Sequence, residues 1–355
     1  MGVGSLSADT KIMDDRNNKF SKLIDSSSWI LVITHVGPDP DAFCSLLLMG
    51  TTLALNYPDK QVMMSSEELT GGLSFLPNYK EVKLQPLQVA VDRAKPDLII
   101  MVDAMNLGRC TRGDAAKLVA SLKTAGTKLA IIDHHEQVGV ETNDFYLNQG
   151  SPAAVQDVYE LLFDQLKLKK PVGYAEITLL GLYADTGGFI YENPRHKDTF
   201  KLVDGLLDAG ASLERIKNQV DRGSPDSLRA LGEFCRNLVY GREYSYSFIS
   251  DEFTEEWQEA GKSFDDIKLA VGHFANDYVR NVGESYWGFV VYRDLPATPG
   301  TYGVSLRAES GSRDVAAIAK HLGGGGHKPA AGVKIKADNV QAVVRIVKDA
   351  IEQVK

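Results

Sequence analysis

Three apolar runs rich in β-branched residues, each followed at once by polar side chains, constrain the fold of this chain more than any other feature. The runs occupy residues 30–34, 98–102 and 129–132. Continuous runs of this kind are typical of strands that are buried on both faces. Helical patterns at 41–55 and 115–125 separate them, and alternating strands and helices favour a parallel sheet. The sequence therefore predicts an α/β fold for the N-terminal part of the chain.

Histidines and aspartates follow all three runs. They are His35, Asp39 and Asp41 after the first run, Asp103 after the second, and Asp133, His134 and His135 after the third. Ligands of open α/β sheets bind outside the carboxyl ends of the strands, so we expect these side chains to meet at one edge. Carboxylates combined with imidazoles suit manganese, magnesium or iron better than a set of thiolates would.

Each group also has a purely structural interpretation. An Asp-Pro turn can cap the helix that begins near Asp41. Asp103 can be a cap after a buried strand, and residues 133–135 can form a polar turn with one packed imidazole. Asp185, which precedes two glycines, can end a helix. Taken singly these alternatives stay open, whereas the four segments together favour a metal site.

A second domain is expected because 355 residues exceed the usual size of one domain. Strand patterns lie at 244–250, 286–292 and 302–308, and helical patterns at 265–279, 314–322 and 339–354. We predict a smaller C-terminal α/β domain. The expected organisation is a flexible tail at 1–18, a first domain at 19–217, a linker at 218–230 and a second domain at 231–355.

Composition restricts the partners and the compartment. A formal net charge of −8 argues against sequence-independent binding of long duplex DNA, although short anionic substrates remain compatible with it. Cys44, Cys110 and Cys235 are far apart, which favours neither a zinc site nor a disulfide framework. No apolar stretch has membrane-spanning length and no signal pattern opens the chain. We expect a cytoplasmic protein that does not contact a membrane.

The order His-x3-Asp-x-Asp, Asp, Asp-His-His, Asp, which begins at His35 and ends at Asp185, resembles the four-motif signature of the DHH phosphoesterases. The segment 323–332, Gly-Gly-Gly-Gly-His-Lys-Pro-Ala-Ala-Gly, is similar to the glycine-rich signature of the type-1 DHH-associated domain. The resemblance extends from about Lys22 to the C-terminus. Pro40 and Cys44 stand where the family usually has glycines, and neither is a ligand type in that motif.

The resemblance implies two Mn²⁺ ions in each active site, with Mg²⁺ as the alternative ion. The implied ligands are His35 and Asp39 for the first ion, Asp41, His134 and Asp185 for the second, and Asp103 for both. With Asp103, the implied catalytic residues are Asp133, which would orient ligands, and His135, which would face the substrate phosphate. The implied substrate-binding residues, besides His135, are Arg307, Gly324, Gly325, Gly326, His327 and Lys328.

The activity implied is hydrolysis of short single-stranded oligonucleotides to mononucleotides, together with removal of the 3'-phosphate of adenosine 3',5'-bisphosphate. Two domains that face each other across a cleft would suit such a short substrate. A phosphodiesterase for cyclic or linear dinucleotides is the alternative within the enzyme class. A non-catalytic nucleotide-binding module is the alternative outside it. The oligomeric state stays open, with a homodimer among the expectations.

Overall fold

The structure is a computed structural model that describes residues 8–69, 72–135, 137, 139–220, 222–294, 299–309 and 311–354, with side chains described from residue 15 onward. The chain forms two compact units, Met1–Asp221 and Arg222–Lys355. Each unit contains a six-stranded sheet and helices, which confirms the predicted α/β class.

The first unit is built on a parallel sheet. Its strands are β1 (Trp29–Ile33), β2 (Gln61–Ser66), β3 (Lys83–Leu84), β4 (Leu98–Val102), β5 (Lys128–Ile132) and β6 (Phe145–Leu147). Their order is β3-β2-β1-β4-β5-β6, and every neighbouring pair is parallel. The three apolar runs of the sequence are the three central strands, whose residues are almost completely buried. The strand order reverses between β1 and β4, and such a switch point is where open α/β sheets bind ligands.

Nine described helices accompany this sheet. They are α1 (Ala8–Asp25), α2 (Pro40–Asn56), α3 (Leu87–Ala94), α4 (Leu107–Cys110), α5 (Ala115–Ala125), α6 (Ala154–Tyr159), α7 (Tyr174–Asp185), α8 (His196–Asp208) and α9 (Leu213–Val220). A 3-10 turn lies at Tyr79–Glu81, and α6 continues into a π-helical turn, Glu160–Gln165. The core of one sheet face includes most of α2, whose residues from Asp41 to Leu53 are all buried.

The second unit has a mixed sheet. Its strands are β7 (Val239–Tyr240), β8 (Ser245–Phe248), β9 (Trp287–Arg293), β10 (Thr301–Ala308), β11 (Gly325–His327) and β12 (Ala330–Lys336), in the order β11-β12-β10-β9-β8-β7. Its helices are α10 (Pro225–Arg236), α11 (Asp251–Glu259), α12 (Phe264–His273), α13 (Val315–His321) and α14 (Val340–Gln353). A π-helical turn, Phe274–Tyr278, follows α12. Among the described strand pairs of this second sheet, β8–β9 is parallel and the others are antiparallel.

Two local expectations differ from the structure. Helix α1 begins at Ala8, within the segment predicted to be a flexible tail, and its C-terminal half is held by burial of Phe20 and Ile24. Helix α10 begins inside the predicted linker because Ser224 caps it and Pro225 occupies its first position. Two residues of the glycine run, Gly325 and Gly326, lie in the short edge strand β11.

No helix within the described part of the chain combines the length and the apolar character needed to span a bilayer.

Candidate metal centre

The carboxyl ends of the three central strands deliver the first site residues. His35 lies two residues after β1, Asp103 directly follows β4, and Asp133 directly follows β5. The backbone of Asp103 has a φ of 53°, a left-handed conformation that non-glycine residues seldom adopt. The Asp103 N–H donates to the carbonyl of Ile132 at 2.9 Å. This bond holds the strained residue at the sheet edge, and strain of this kind is concentrated at functional sites.

Asp39 and Asp41 stand at the start of α2. Asp39 is the N-cap, and its carboxylate accepts a hydrogen bond from the N–H of Ala42 at 2.9 Å. Pro40 occupies the first helical position, where its missing N–H costs nothing. Asp39 therefore caps α2, as the structural interpretation predicts. Its carboxylate also lies close to His35 and Asp103.

Asp185 is the last residue of α7, and two glycines with positive φ, Gly187 and Gly188, follow it. Within α7, a Cβ atom on Gly181 would lie 3.1 Å from Asp41 Oδ1 and 2.8 Å from Val155 Cγ1. Glycine at this position thus lets α7 approach the start of α2 closely. That approach brings Asp185 to the same edge as the strand residues.

The ligand-type atoms of the described residues form three groups, and the third, Asp103, His134 and His135, shares a residue with each of the other two. His35, Asp39 and Asp103 make up the first group, and Asp41, His134 and Asp185 the second, with the relevant atoms of each group within 4.8 Å of one another. Asp103 Oδ2 lies 3.5 Å from His35 Nε2, and Asp103 Oδ1 lies 3.5 Å from His134 Nε2. One carboxylate therefore faces the first and second groups, one oxygen to each.

Several buried polar atoms at this edge lack hydrogen-bond partners. Among the described residues, Asp103 Oδ1 and His134 Nε2 are buried without a hydrogen bond. An unsatisfied buried polar atom costs about 1 to 3 kcal/mol, so an arrangement with two of them calls for a partner that is not a side chain. A divalent cation would satisfy both atoms, and the donor set of carboxylates and imidazoles fits such an ion.

The electrostatics of the groups agree with that fit. Burial and the neighbouring carboxylates raise the pKa of Asp103 and Asp185 well above the usual range. Burial and then Asp39 raise the pKa of Asp41 to about 7, although two backbone N–H donors oppose the rise. Burial, and then the charge of His135, lower the pKa of His134 to about 4. A neutral imidazole among crowded carboxylates is the state that a bound cation stabilises.

Asp133 and His135 form a separate pair beside the groups. Asp133 is completely buried, and its Oδ1 lies 2.7 Å from His135 Nδ1 and accepts from the His135 backbone N–H at 3.1 Å. Burial alone would raise the pKa of Asp133, but these hydrogen bonds outweigh it and the pKa is lowered. Asp133 thus stays ionised and orients the His135 ring, which lies 3.4 Å from Asp103 Oδ1.

In the second unit, the glycine-rich segment borders a cavity of about 640 Å³ on β10, β11 and β12. A Cβ on Gly324 would lie 2.3 Å from the carbonyl oxygen of Gly332, and Gly326 has a φ of 137°. Arg307 also lines the cavity, and its guanidinium is held by Asn276 at 2.7 Å. The residues brought together here are Arg307 and Gly323–Gly326, whereas His327 and Lys328 are exposed outside the lining.

Comparison with protein-family models assigns both units. Residues 29–182 match the DHH family N-terminal domain, and residues 256–353 match the DHHA1 domain. The chain therefore contains a DHH domain followed by a DHHA1 domain. A bifunctional oligoribonuclease and PAP phosphatase from Bacillus subtilis is 25% identical over 320 residues, which are 88% of this chain and 92% of that protein. A protein of the same description from Thermus thermophilus is 26% identical over 331 residues, 91% and 89% of the two chains.

One solved structure has a similar fold. The exopolyphosphatase-related protein from Bacteroides fragilis matches with a TM-score of 0.75 and 20% identity over 96% of each chain. At that identity the likeness concerns the fold.

The sequence did not predict a group of residues that hydrogen-bond to Asp41 and His134 and so support the candidate site. The backbone N–H groups of Ala154 and Val155 donate to Asp41 at 2.6 and 3.0 Å. The carbonyl oxygen of Ser151 lies 3.3 Å from His134 Nδ1, and Arg195 donates to the Ser151 hydroxyl at 2.5 Å. No motif marks these residues, because they act through backbone groups and through a contact between distant segments.

Proposed function

We propose that this chain is a metal-dependent phosphodiesterase that hydrolyses short single-stranded oligonucleotides to mononucleotides and also removes the 3'-phosphate of adenosine 3',5'-bisphosphate. The observation that carries the proposal is the Asp103 carboxylate, which turns one oxygen to each of two groups of ligand-type atoms. The names of the relatives, which align over most of their length and of this chain, support the substrate class.

Two metal ions fit the two groups. His35 and Asp39 would hold the first, Asp41, His134 and Asp185 the second, and Asp103 both. The oxygen and imidazole donors support Mn²⁺ as the ion, with Mg²⁺ as the alternative. When bound, such a pair activates the attacking water and stabilises the charge that develops on the phosphate oxygens.

The protein's own groups would orient the phosphate. His135 is fixed by ionised Asp133 and borders the groups, so its ring is placed to donate a hydrogen bond to a phosphate oxygen. In the DHHA1 domain, glycines at 324–326 expose backbone beside the Arg307 guanidinium, which suits an anion. His327 and Lys328 add exposed basic groups next to that cavity. We assign substrate binding to this segment.

A panel of substrates tests the proposal. The full chain, freed of metal and then given Mn²⁺, is incubated with RNA and DNA dinucleotides, 5-mers and 24-mers, adenosine 3',5'-bisphosphate, a cyclic dinucleotide and pyrophosphate. We expect mononucleotides from the dinucleotides and 5-mers and phosphate from the bisphosphate, with Asp103→Ala as the inactive control. Hydrolysis of the cyclic dinucleotide alone would replace the proposal with the phosphodiesterase alternative. Nucleotide binding without turnover would replace it with a binding module.

A further inference from the structure

The two ring nitrogens of His134 face different partners. His134 Nε2 lies 3.3 Å from Asp185 Oδ2, while Nδ1 lies 3.3 Å from the carbonyl oxygen of Ser151. A carbonyl can only accept, so this contact places the proton on Nδ1 and leaves the lone pair on Nε2. Imidazoles that bind metals are commonly fixed in this way by a partner on the other nitrogen. The position of the Ser151 peptide therefore decides the orientation of a proposed ligand.

Buried side chains hold Ser151 in place. Its hydroxyl donates to the carboxylate of Asp157 and accepts a hydrogen bond from Arg195 at 2.5 Å. Asp157 is completely buried and also accepts from the backbone N–H of Gln149 at 3.0 Å. Residues 149–153 belong to neither a helix nor a strand. Side-chain bonds, rather than a backbone ladder, thus fix this segment.

Arg195 is the cation at the centre of the cluster. Its Nη2 donates to both carboxylate oxygens of Glu160, at 2.8 and 3.0 Å, and its Nη1 lies 3.8 Å from Asp157. Glu160 begins the π-helical turn, a distortion that frequently accompanies functional sites. Without Arg195, buried Asp157 and half-buried Glu160 would lose the cation that they share, and the Ser151 hydroxyl would lose its donor.

We propose that Arg195 is a positioning residue for the second metal group: it holds Ser151, and through the Ser151 carbonyl it fixes the ring of His134. This inference rests on the proposed metal site. The same segment also donates two backbone hydrogen bonds to Asp41, so two of the three members of that group depend on it. The hydrogen bonds described for residues 149–155 do not reach His35 or Asp39. Loss of Arg195 should therefore affect one ion and spare the other.

Manganese binding measured by titration calorimetry on the metal-free full chain tests this selectivity. We expect Arg195→Met to weaken one of two binding steps by about 10- to 100-fold, the usual effect of removing a group that orients a ligand. The other step should keep its wild-type affinity. In assays, the half-saturating Mn²⁺ concentration should rise by a similar factor, while KM for a dinucleotide at saturating Mn²⁺ stays unchanged. Arg195→Lys should recover part of the lost affinity.

Arg215→Met is the matched control. Arg215 forms a 2.6 Å ion pair with Glu176 on α7, the helix that carries Asp185. The two glutamates are equally buried, with 17% of the Glu160 side chain and 16% of the Glu176 side chain exposed. Arg215→Met should bind both ions as the wild type does. Ser151→Ala removes only the hydroxyl and should weaken the same step as Arg195→Met, so the test survives if Arg195→Met does not fold.

The outcomes separate the inference from the function on which it rests. A folded wild-type chain that binds no Mn²⁺ would remove the metal site itself, and the positioning role with it. Wild-type binding of two ions, together with unchanged affinities in folded Arg195→Met and Ser151→Ala, would overturn the positioning role alone. Equal weakening of both steps would overturn it too, because a general loosening of the site would then explain the data.

Discussion

The carboxylate of Asp41 accepts a 2.6 Å hydrogen bond from the backbone N–H of Ala154, the first residue of α6 and a residue 113 positions further along the chain. The residue before that helix, Ala153, has no side-chain oxygen with which to cap it. Asp41 therefore satisfies the helix N-terminus from another element, and each of its carboxylate oxygens keeps a second lone pair. A proposed ligand is thereby tied to the fold as well as to the site.

Crowded carboxylates should make the metal-free protein less stable at higher pH. Asp41, Asp103 and Asp185 have raised pKa values when folded, so folding favours their protonated forms, and that stabilisation is lost as pH rises through the folded pKa. His134, whose folded pKa is lowered to about 4, opposes this decrease by only about 0.4 kcal/mol, because the unfolded imidazole loses its remaining proton in the same pH range. Between pH 6.5 and 8, the free energy of unfolding in chelator should fall by roughly 1 to 3 kcal/mol, measured by urea titration.

Asp41→Asn is the variant that isolates this effect. It removes one of the three carboxylates, and it also removes a charge that raises the pKa of both Asp103 and Asp185. The decrease in stability between pH 6.5 and 8 should therefore be clearly smaller in the variant, whatever its absolute stability. An unchanged pH dependence would mean that these carboxylates are not the source. Saturating Mn²⁺ should remove most of the decrease in the wild type.

Activity should depend completely on a divalent ion. The physical reason is that no described side chain at the site satisfies Asp103 Oδ1 or His134 Nε2, and the donors are oxygens and imidazoles. Chelation should abolish dinucleotide hydrolysis, and Mn²⁺ should restore it better than Mg²⁺ or Zn²⁺. The check is initial rate against added metal after removal of the chelator. Full activity in a sample shown by elemental analysis to lack metal would contradict the assignment.

Asp103→Ala should abolish turnover without unfolding the chain. The two oxygens of Asp103 face the two groups, one each, so its loss should lower kcat by several orders of magnitude. Asp97, at the other end of β4, is the matched control: its carboxylate accepts from the backbone N–H groups of Ser28 and Trp29. Asp97→Ala should lower the melting temperature and leave kcat near that of the wild type. Near-normal kcat in folded Asp103→Ala would refute the ligand assignment.

The central strands were predictable because their signal is local. A run such as Leu98–Val102 is apolar throughout, and the polar residue that ends it, Asp103, is adjacent in sequence. Parallel pairing then brings the ends of β1, β4 and β5 together without further information. The geometry of the groups, and the division of the Asp103 oxygens between them, needed the folded coordinates.

The side chains that hold Ser151 in place were not predictable, because the contact with Arg195 is not local in sequence. The bond from Arg195 to Ser151 joins residues 44 positions apart in irregular segments, so no periodicity records it. The polar residues 1–18 predict a tail, but burial of Phe20 and Ile24 anchors the C-terminal half of α1, and the helix extends back from there to Ala8. Contacts of this kind outweigh local propensity.

Two neighbouring glycines in the DHHA1 domain should respond differently to alanine. A Cβ on Gly324 would lie 2.3 Å from the backbone oxygen of Gly332, whereas a Cβ on Gly325 would meet nothing within 4 Å. Gly324→Ala must displace β12, and we expect it to destabilise the domain by about 1 to 3 kcal/mol. Gly325→Ala should be within about 0.5 kcal/mol of the wild type. Thermal unfolding of both variants checks the contrast, and equal melting temperatures would contradict the packing seen here.

Arg307 should matter for oligonucleotides and not for small esters. It lines the DHHA1 cavity and is held by Asn276 and Ser305, so its guanidinium is fixed before any substrate arrives. Loss of a hydrogen bond to a charged group costs about 1.5 to 3 kcal/mol, and Arg307→Ala should therefore lower kcat/KM on a dinucleotide about 10- to 150-fold. A small phosphate ester lacks the part of the substrate that this cavity would bind, so its kcat/KM should hardly change.

Arg293→Ala controls for the loss of a basic side chain from the same sheet. Arg293 ends β9 and pairs with Glu255 at 3.8 Å, but it does not line the cavity. Its replacement should leave both substrates unaffected, and His327→Ala, beside the cavity, should resemble Arg307→Ala. Equal losses on the dinucleotide and the small ester in Arg307→Ala would show that the arginine only supports the fold. The glycine-rich segment would then lose its role in substrate binding, while the proposed metal chemistry of the DHH domain would stand.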